Sequence, residues 1–523
     1  MREWNDMKHA DVDTSILEIT IISGIVALVL GVLYALGRVH MMIPWMEIIK
    51  SVTFSWFIVS LPYSIVYTFW KKKNTNRANV SFVTLCVFLF VSVIGAVPFA
   101  AISGSILCIL GSILFVILFA QWIRETSLRR KACVLFVSVF FSVWLGAKMW
   151  SAQYLSPLFF EEVATMAAHP DDLWHMSISH MIQTYGVASV GVDGLVFLPY
   201  HVGSHVLFAE IARVLSLPIM DMYTLTYPVI FLPLLLFSLL HFSSFVRHNR
   251  TLWPIIFLVV GFIGFLPRVL QNALVLDSIF FFSESYTVGM VFVFLLLPSI
   301  IHLVLRMQSE GVSWRKFFYC AVAILAILGI GFVKISFLFL FLGITCYFFL
   351  RSGLIKNKRI IFLCAVFFMT SLLLYMKTHL LDHSASLSLL HFYFSVLQTP
   401  LRFLWPVFGM GFLWIYVWFR LTTESVTSLQ DFRKLLKASK LLDIEMVFFI
   451  TLLGLLPGNI FNLPGGTDVY FIDVQRWISL ALVVAHAEEI VEILRKKQRV
   501  LVFGFCAAIL FSFNVALPLR DFI

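Results

Sequence analysis

The chain has 523 residues, 61% of them hydrophobic and 13% charged, and a formal net charge of +10. Soluble domains average about 45–50% apolar and about 25% charged residues. A water-soluble fold is therefore excluded, and lipid takes up the apolar surface. The basic excess lies in short clusters between apolar runs, as cytoplasmic loops do under the positive-inside rule, so nucleic acid is not an expected partner and membrane lipid is.

A membrane-crossing helix needs about 20 apolar residues, and on that criterion about fifteen runs are expected to span. The first, 16–37, is too long for the core of a cleavable signal and is expected to stay as an uncleaved span. Runs at 51–70, 80–101 and 103–122 complete an N-terminal four-span block over 1–131. The main domain, 132–523, continues with runs at 132–150, 222–245, 252–271, 287–305, 317–333, 335–350, 360–376, 403–419, 446–461, 474–493 and 500–517. The stretch 317–350 reads either as two short spans or as one long broken one. The fold class is thus an all-α polytopic transmembrane bundle.

With the N-terminus cytoplasmic and each run crossing once, most of the 38 Lys and Arg fall inside. They include Lys71, Lys72 and Lys73, the group Arg129, Arg130 and Lys131, and the cluster Arg433, Lys434 and Lys437. One missed early span would scramble this bias. The seven Cys lie in or beside apolar runs without CxxC spacing and read as buried small hydrophobes rather than a disulfide or zinc framework.

The longest outer segment runs over 151–221. It contains apolar stretches and a helix-like piece, His205–Leu217, ahead of Pro218, and is expected to form amphipathic helices lying on the outer leaflet. It also concentrates acids and imidazoles: Glu161, Glu162, His169, Asp171, Asp172, His175, His180, Asp193, His201 and His205. In HPDDLWH, Pro170 starts a helix and Asp171 and Asp172 follow it. Such carboxylates act as a general base or hold a divalent cation, or simply cap the helix. His201 and His205 share a face if helical, but no third ligand at fixed spacing makes them a zinc motif. His175, His201 and His205 are candidate substrate-binding groups.

A second set of candidates consists of cations at the outer ends of spans: Arg268, Lys334, Arg402 and Arg476. Buried charge at membrane depth is expensive and usually faces a cavity. Lys334 interrupts GIGFV and ISFLFLFL, and Arg476 lies three residues after Asp473, its simplest partner. Both suit a phosphate clamp. Asp277, Glu284 and Asp382 rank behind them.

A span leading into a long outer loop with an acidic pair near its start, then loop helices, then further spans, resembles the GT-C glycosyltransferases. The resemblance covers roughly 132–420 in layout, and HPDDLWH carries its motif. It departs from the family in having four apolar runs ahead of the span that leads into the acidic loop. It implies a polyprenyl-phosphate-linked sugar as donor and an acceptor on the outer face of a bacterial inner membrane. Asp171 or Asp172 would then be the catalytic acid residue, and Lys334 and Arg476 would hold the carrier phosphate. Two other classes fit the composition. A transporter or flippase would line a path across the midplane with charge; a non-catalytic assembly subunit would need no site.

Overall fold

In the computed structural model the described residues are 12–70, 78–97, 99–150, 156–191, 194–195, 198, 200, 202–247, 254–257, 283–375, 386–387, 411–437, 441–462 and 468–496. They are almost wholly helical. The β structure among them is a two-residue antiparallel pairing of Ser386–Leu387 with Phe461–Asn462 and an isolated bridge between Gly191 and Gly194. The helices in chain order are α1 (Val12–Gly37), α2 (Trp45–Trp70), α3 (Ala78–Gly95), α4 (Ala100–Glu125), α5 (Leu128–Trp150), α6 (Phe159–Ala164), α7 (Pro170–Tyr185) and α8 (Gly203–Leu215). Then come α9 (Ile219–Val246), α10 (Glu284–Glu310), α11 (Trp314–Val333), α12 (Ile335–Arg351) and α13 (Lys358–Tyr375). The last are α14 (Gly411–Thr423), α15 (Leu429–Lys437), α16 (Leu442–Ile460), α17 (Asp468–Ala485) and α18 (Ala487–Lys496).

Among the described residues, 7 helices are long and apolar enough to cross a membrane: Ile16–Gly37, Trp45–Thr68, Ala100–Glu125, Leu128–Ala147, Ile219–Val246, Glu284–Gln308 and Lys316–Val333. The chain is an integral membrane protein. Helices are the form that satisfies every backbone group within one segment where no water reaches. The expected runs 252–271 and 500–517, and the first part of 403–419, lie largely or wholly outside the described residues. The stretch 317–350 is two helices, because Lys334 takes an extended conformation (φ −155°, ψ 118°) between α11 and α12. The run 474–493 is also divided. Helix α17 ends at Ala485, and α18 follows with acids in its first turn and Arg495 and Lys496 in its last, so its polar face suits an interface rather than lipid.

One hydrophobic core runs from Ile16 in α1 to Leu494 in α18. Helix α9 lies deep in it, with Tyr227 to Ser244 buried, and packs on α1, α2, α10 and α17. Its first turns widen into a π-helical segment, Met222–Thr226. The cause is local: Pro228 has no N–H to give to the Thr224 carbonyl and its ring crowds it. The Trp150 indole N–H donates to that carbonyl instead, at 3.2 Å. Side-chain bonds from Tyr34 to Thr224 (3.2 Å) and between Ser51 and Thr226 (2.8 Å) tie α1 and α2 to the same widened turn, as polar residues join helices in lipid.

The segment over 151–221 differs from the expected surface helices. Helix α8 is wedged against α3, α4, α7 and α11, with most of its residues buried. Its charges travel with partners. Arg213 Nη1 donates to Glu210 at 2.6 Å, and Nη2 donates to the carbonyls of Ile182 and Gln183 at the end of α7. Those bonds remove most of the cost of burying a charged helix. Glycine makes the wedge fit: a Cβ on Gly104 would lie 1.8 Å from the Val214 carbonyl oxygen.

Candidate functional site

Helix α7 is built by its own sequence. Pro170 stands at the first helical position, and the His169 side chain caps the helix by accepting from the Asp171 N–H at 3.3 Å. Asp171 and Asp172 lie in the first turn, where the helix dipole favours carboxylates. Gly186 closes the helix in the left-handed conformation (φ 70°). The two acids differ in surroundings: the Asp171 side chain is 54% exposed, whereas Asp172 is buried. Glu161, by contrast, is spent on Arg38 at 2.9 Å, an ion pair that fastens α6 to the end of α1.

One turn beyond Asp171, His175 faces α8. Its ring stacks on His205 with centroids 5.1 Å apart, and its Nδ1 lies 3.3 Å from His205 Nε2. Gly203 brings α8 against the end of α11, where a Cβ would lie 2.6 Å from the Phe332 carbonyl carbon. That approach sets His205 near Lys334, the residue after Val333. The first turns of α10 and α12 meet through Tyr286 and Phe337 (5.1 Å), which sets Glu284 beside the same lysine. His175 Nδ1 lies 3.5 Å from Glu284 Oε1, and His175 Nε2 lies 3.8 Å from Asp171 Oδ1. Groups from α7, α8, α10 and the α11–α12 break thus share one small volume.

The cluster is dry. His205, Glu284 and Lys334 are 1%, 4% and 5% exposed. Lys334 is within electrostatic reach of both Glu284 and Asp171. Burial first, then electrostatic interaction with His175 and Lys334, holds the His205 imidazole well below its ordinary range. It is therefore neutral at pH 7. Around these groups, Tyr223 bonds His205 Nδ1 (2.8 Å) and Ser179 (2.7 Å). Tyr200 stacks over His205 at 6.0 Å and meets Trp174 edge-on at 5.0 Å.

Asp171, His175, His205 and Lys334, four of the residues singled out in the sequence, come together, and Glu284 moves to their centre. Asp172 faces the buried side of α7 and is not among the ligand atoms gathered there. Arg476 is half-buried on α17, a helix whose Phe471 touches Phe339 of α12 at 5.9 Å. His201, Asp193, Arg268, Asp277, Asp382 and Arg402 fall outside the described residues. Sequence analysis did not single out Tyr200, Tyr223 or Ser179. Ser179 carried a signal, since it stands one turn after His175 on the same face.

The opposite end of the bundle holds structural ion pairs: Arg351 with Glu445 (2.9 Å), Arg420 with Asp443 (2.8 Å) and Arg247 with Glu489. The cluster at Lys334 and the basic belt therefore lie at the two ends of α12. No protein-family profile matches the chain, and comparisons with curated proteins and with solved structures find no similar protein.

Proposed function

We propose that the protein is a membrane glycosyltransferase that takes its sugar from a polyprenyl-phosphate carrier at the outer face, for assembly of a cell-surface glycan or glycolipid. One observation carries the proposal. A half-exposed carboxylate, Asp171, and a buried ammonium, Lys334, flank the same imidazole–carboxylate cluster at one end of the helix bundle. Transfer of a sugar from a phosphate carrier needs a base for the acceptor and a cation for the leaving group, in one place, at the depth of the lipid headgroup.

The roles follow from exposure. Asp171 faces accessible space and takes the proton of the acceptor hydroxyl. The acceptor oxygen attacks the anomeric carbon, the bond from that carbon to the carrier phosphate breaks, and the electron pair leaves on the phosphate. Lys334 stabilises the negative charge that grows there, in a site dry enough to strengthen the attraction. Asp172 serves the packing of α7. Charge gathered at one end of the bundle suits surface chemistry better than a path across the midplane.

Native mass spectrometry of the chain purified in mild detergent tests this. A co-purified polyprenyl phosphate that is lost in Lys334→Ala is expected. Bulk phospholipid alone, unchanged in the variant, would remove the carrier from the proposal and put a transporter first.

A further inference from the structure

We propose that His175 Nδ1, His205 Nε2 and a carboxylate oxygen of Glu284 form a zinc-type divalent metal site, with a fourth position open to a ligand. The site goes beyond the transferase reading and rests on ligand geometry, not on the carrier. The three side chains offer ligand atoms that all lie within 4.8 Å of one another. Two imidazoles and one carboxylate are a donor set used by catalytic zinc.

The spacing selects the geometry. Zinc–nitrogen bonds of about 2.0–2.1 Å in a tetrahedron set neighbouring ligands about 3.3–3.4 Å apart. An octahedral centre with bonds of about 2.1 Å would bring them to about 3.0 Å. Here His175 Nδ1 stands 3.3 Å from His205 Nε2 and 3.5 Å from Glu284 Oε1. These two edges match the tetrahedron.

Proton accounting points the same way. Glu284 is buried, and its Oε1 accepts no hydrogen bond. A single proton on His175 Nδ1 cannot serve both His205 Nε2 and Glu284 Oε1, so one acceptor stays unsatisfied. A metal at the centre satisfies all three lone pairs together. The surrounding groups then fall into order. With Nε2 on the metal, His205 carries its proton on Nδ1 and donates to Tyr223 Oη at 2.8 Å. The Tyr223 hydroxyl donates onward to the His175 carbonyl at 3.2 Å. With Nδ1 on the metal, His175 turns its protonated Nε2 toward Asp171 Oδ1, 3.8 Å away. His205 thus has a hydrogen-bonded partner behind it, the arrangement that orients metal-bound histidine, while the Asp171 carboxylate stands behind His175 beyond hydrogen-bond distance.

The test uses the full chain, free of any affinity tag, dialysed against chelator in detergent and titrated with zinc and with cobalt(II). Expected are one zinc per chain and a cobalt absorption spectrum of the four-coordinate type. Stoichiometric uptake is lost in His205→Gln and in Glu284→Gln. Tyr223→Phe weakens binding about 10–100-fold. His180→Gln, an exposed histidine on the same helix, binds as the parent does. No uptake by the parent chain, or uptake unchanged in His205→Gln and Glu284→Gln, overturns the site. Should those variants fail to fold, zinc-edge X-ray absorption on the parent chain decides. A nitrogen and oxygen shell with two imidazoles supports the site, and a sulfur shell or scattered low-occupancy zinc overturns it. Failure here leaves a bound polyprenyl phosphate, and with it the transferase proposal, untouched.

Discussion

Glu284 shows what a single residue's neighbours decide. In sequence it opens an apolar run with nothing charged beside it, and it ranks behind Lys334 and the acidic pair. In space its carboxylate meets a histidine from α7 and a lysine from the α11–α12 break. Chain separation hides such partners from any local pattern. Asp171 and Asp172 teach the converse. Adjacent on the chain, they differ in surroundings because a helix turns each residue by about 100°, which leaves one half-exposed and one buried. Asp171→Asn is therefore expected to lower turnover by about 10²–10⁴-fold while a bound carrier persists in native mass spectra. Asp172→Asn should act mainly on stability, read as a lower unfolding temperature in detergent with turnover per folded molecule retained. Equal catalytic losses in both variants would reject the assignment of Asp171 as the base.

At the level of elements, α8 is the part that sequence patterning misplaces. Its charges and its position in a long loop suit a helix on the membrane surface, yet it is packed among six others. Burial is helped because the Arg213 guanidinium pairs with Glu210 Oε1 and the end of α7 at once, although Glu210 Oε2 has no hydrogen-bond partner. Arg213→Met leaves the Glu210 carboxylate without its partner and should cost about 3 kcal/mol. Arg213→Met with Glu210→Leu should recover much of that loss, since two matched apolar groups replace a matched ionic pair. Chemical unfolding monitored by tryptophan fluorescence compares the three. Gly104→Val should be worse than either single change at the pair. The added carbons meet the backbone oxygen of Val214, which cannot swing aside as a side chain does. Loss of monodisperse protein on size exclusion is the expected readout, and a normally folded Gly104→Val would mean that α8 is not wedged there.

For the whole molecule, the two ends of the bundle carry different chemistry. The imidazole–carboxylate cluster lies at one, and the pairs of Arg351, Arg420 and Arg247 lie at the other. The exposed amphipathic helix α15 follows α14 beyond Arg420. Under the positive-inside rule the basic end is cytoplasmic. His180→Cys and Lys434→Cys, each at an exposed position, should then be labelled from opposite sides. A membrane-impermeant maleimide is expected to reach His180→Cys in intact cells and Lys434→Cys only after permeabilisation, over the background of the native cysteines. Labelling of both in intact cells would overturn the orientation.

Composition and run length by themselves determined that this chain lives in lipid as a bundle of helices. A chain that is 61% hydrophobic leaves no other solvent for its surface, and backbone satisfaction leaves helices. HPDDLWH also determined its own local structure, because proline, cap and acids act within one turn. Only the tertiary structure decided that His175, His205, Glu284 and Lys334 meet, and that Asp172 is not among the ligand atoms gathered there. Those meetings depend on close approaches, such as Gly203 against Phe332. Close approaches are set by the packing of whole helices, which no window along the chain contains.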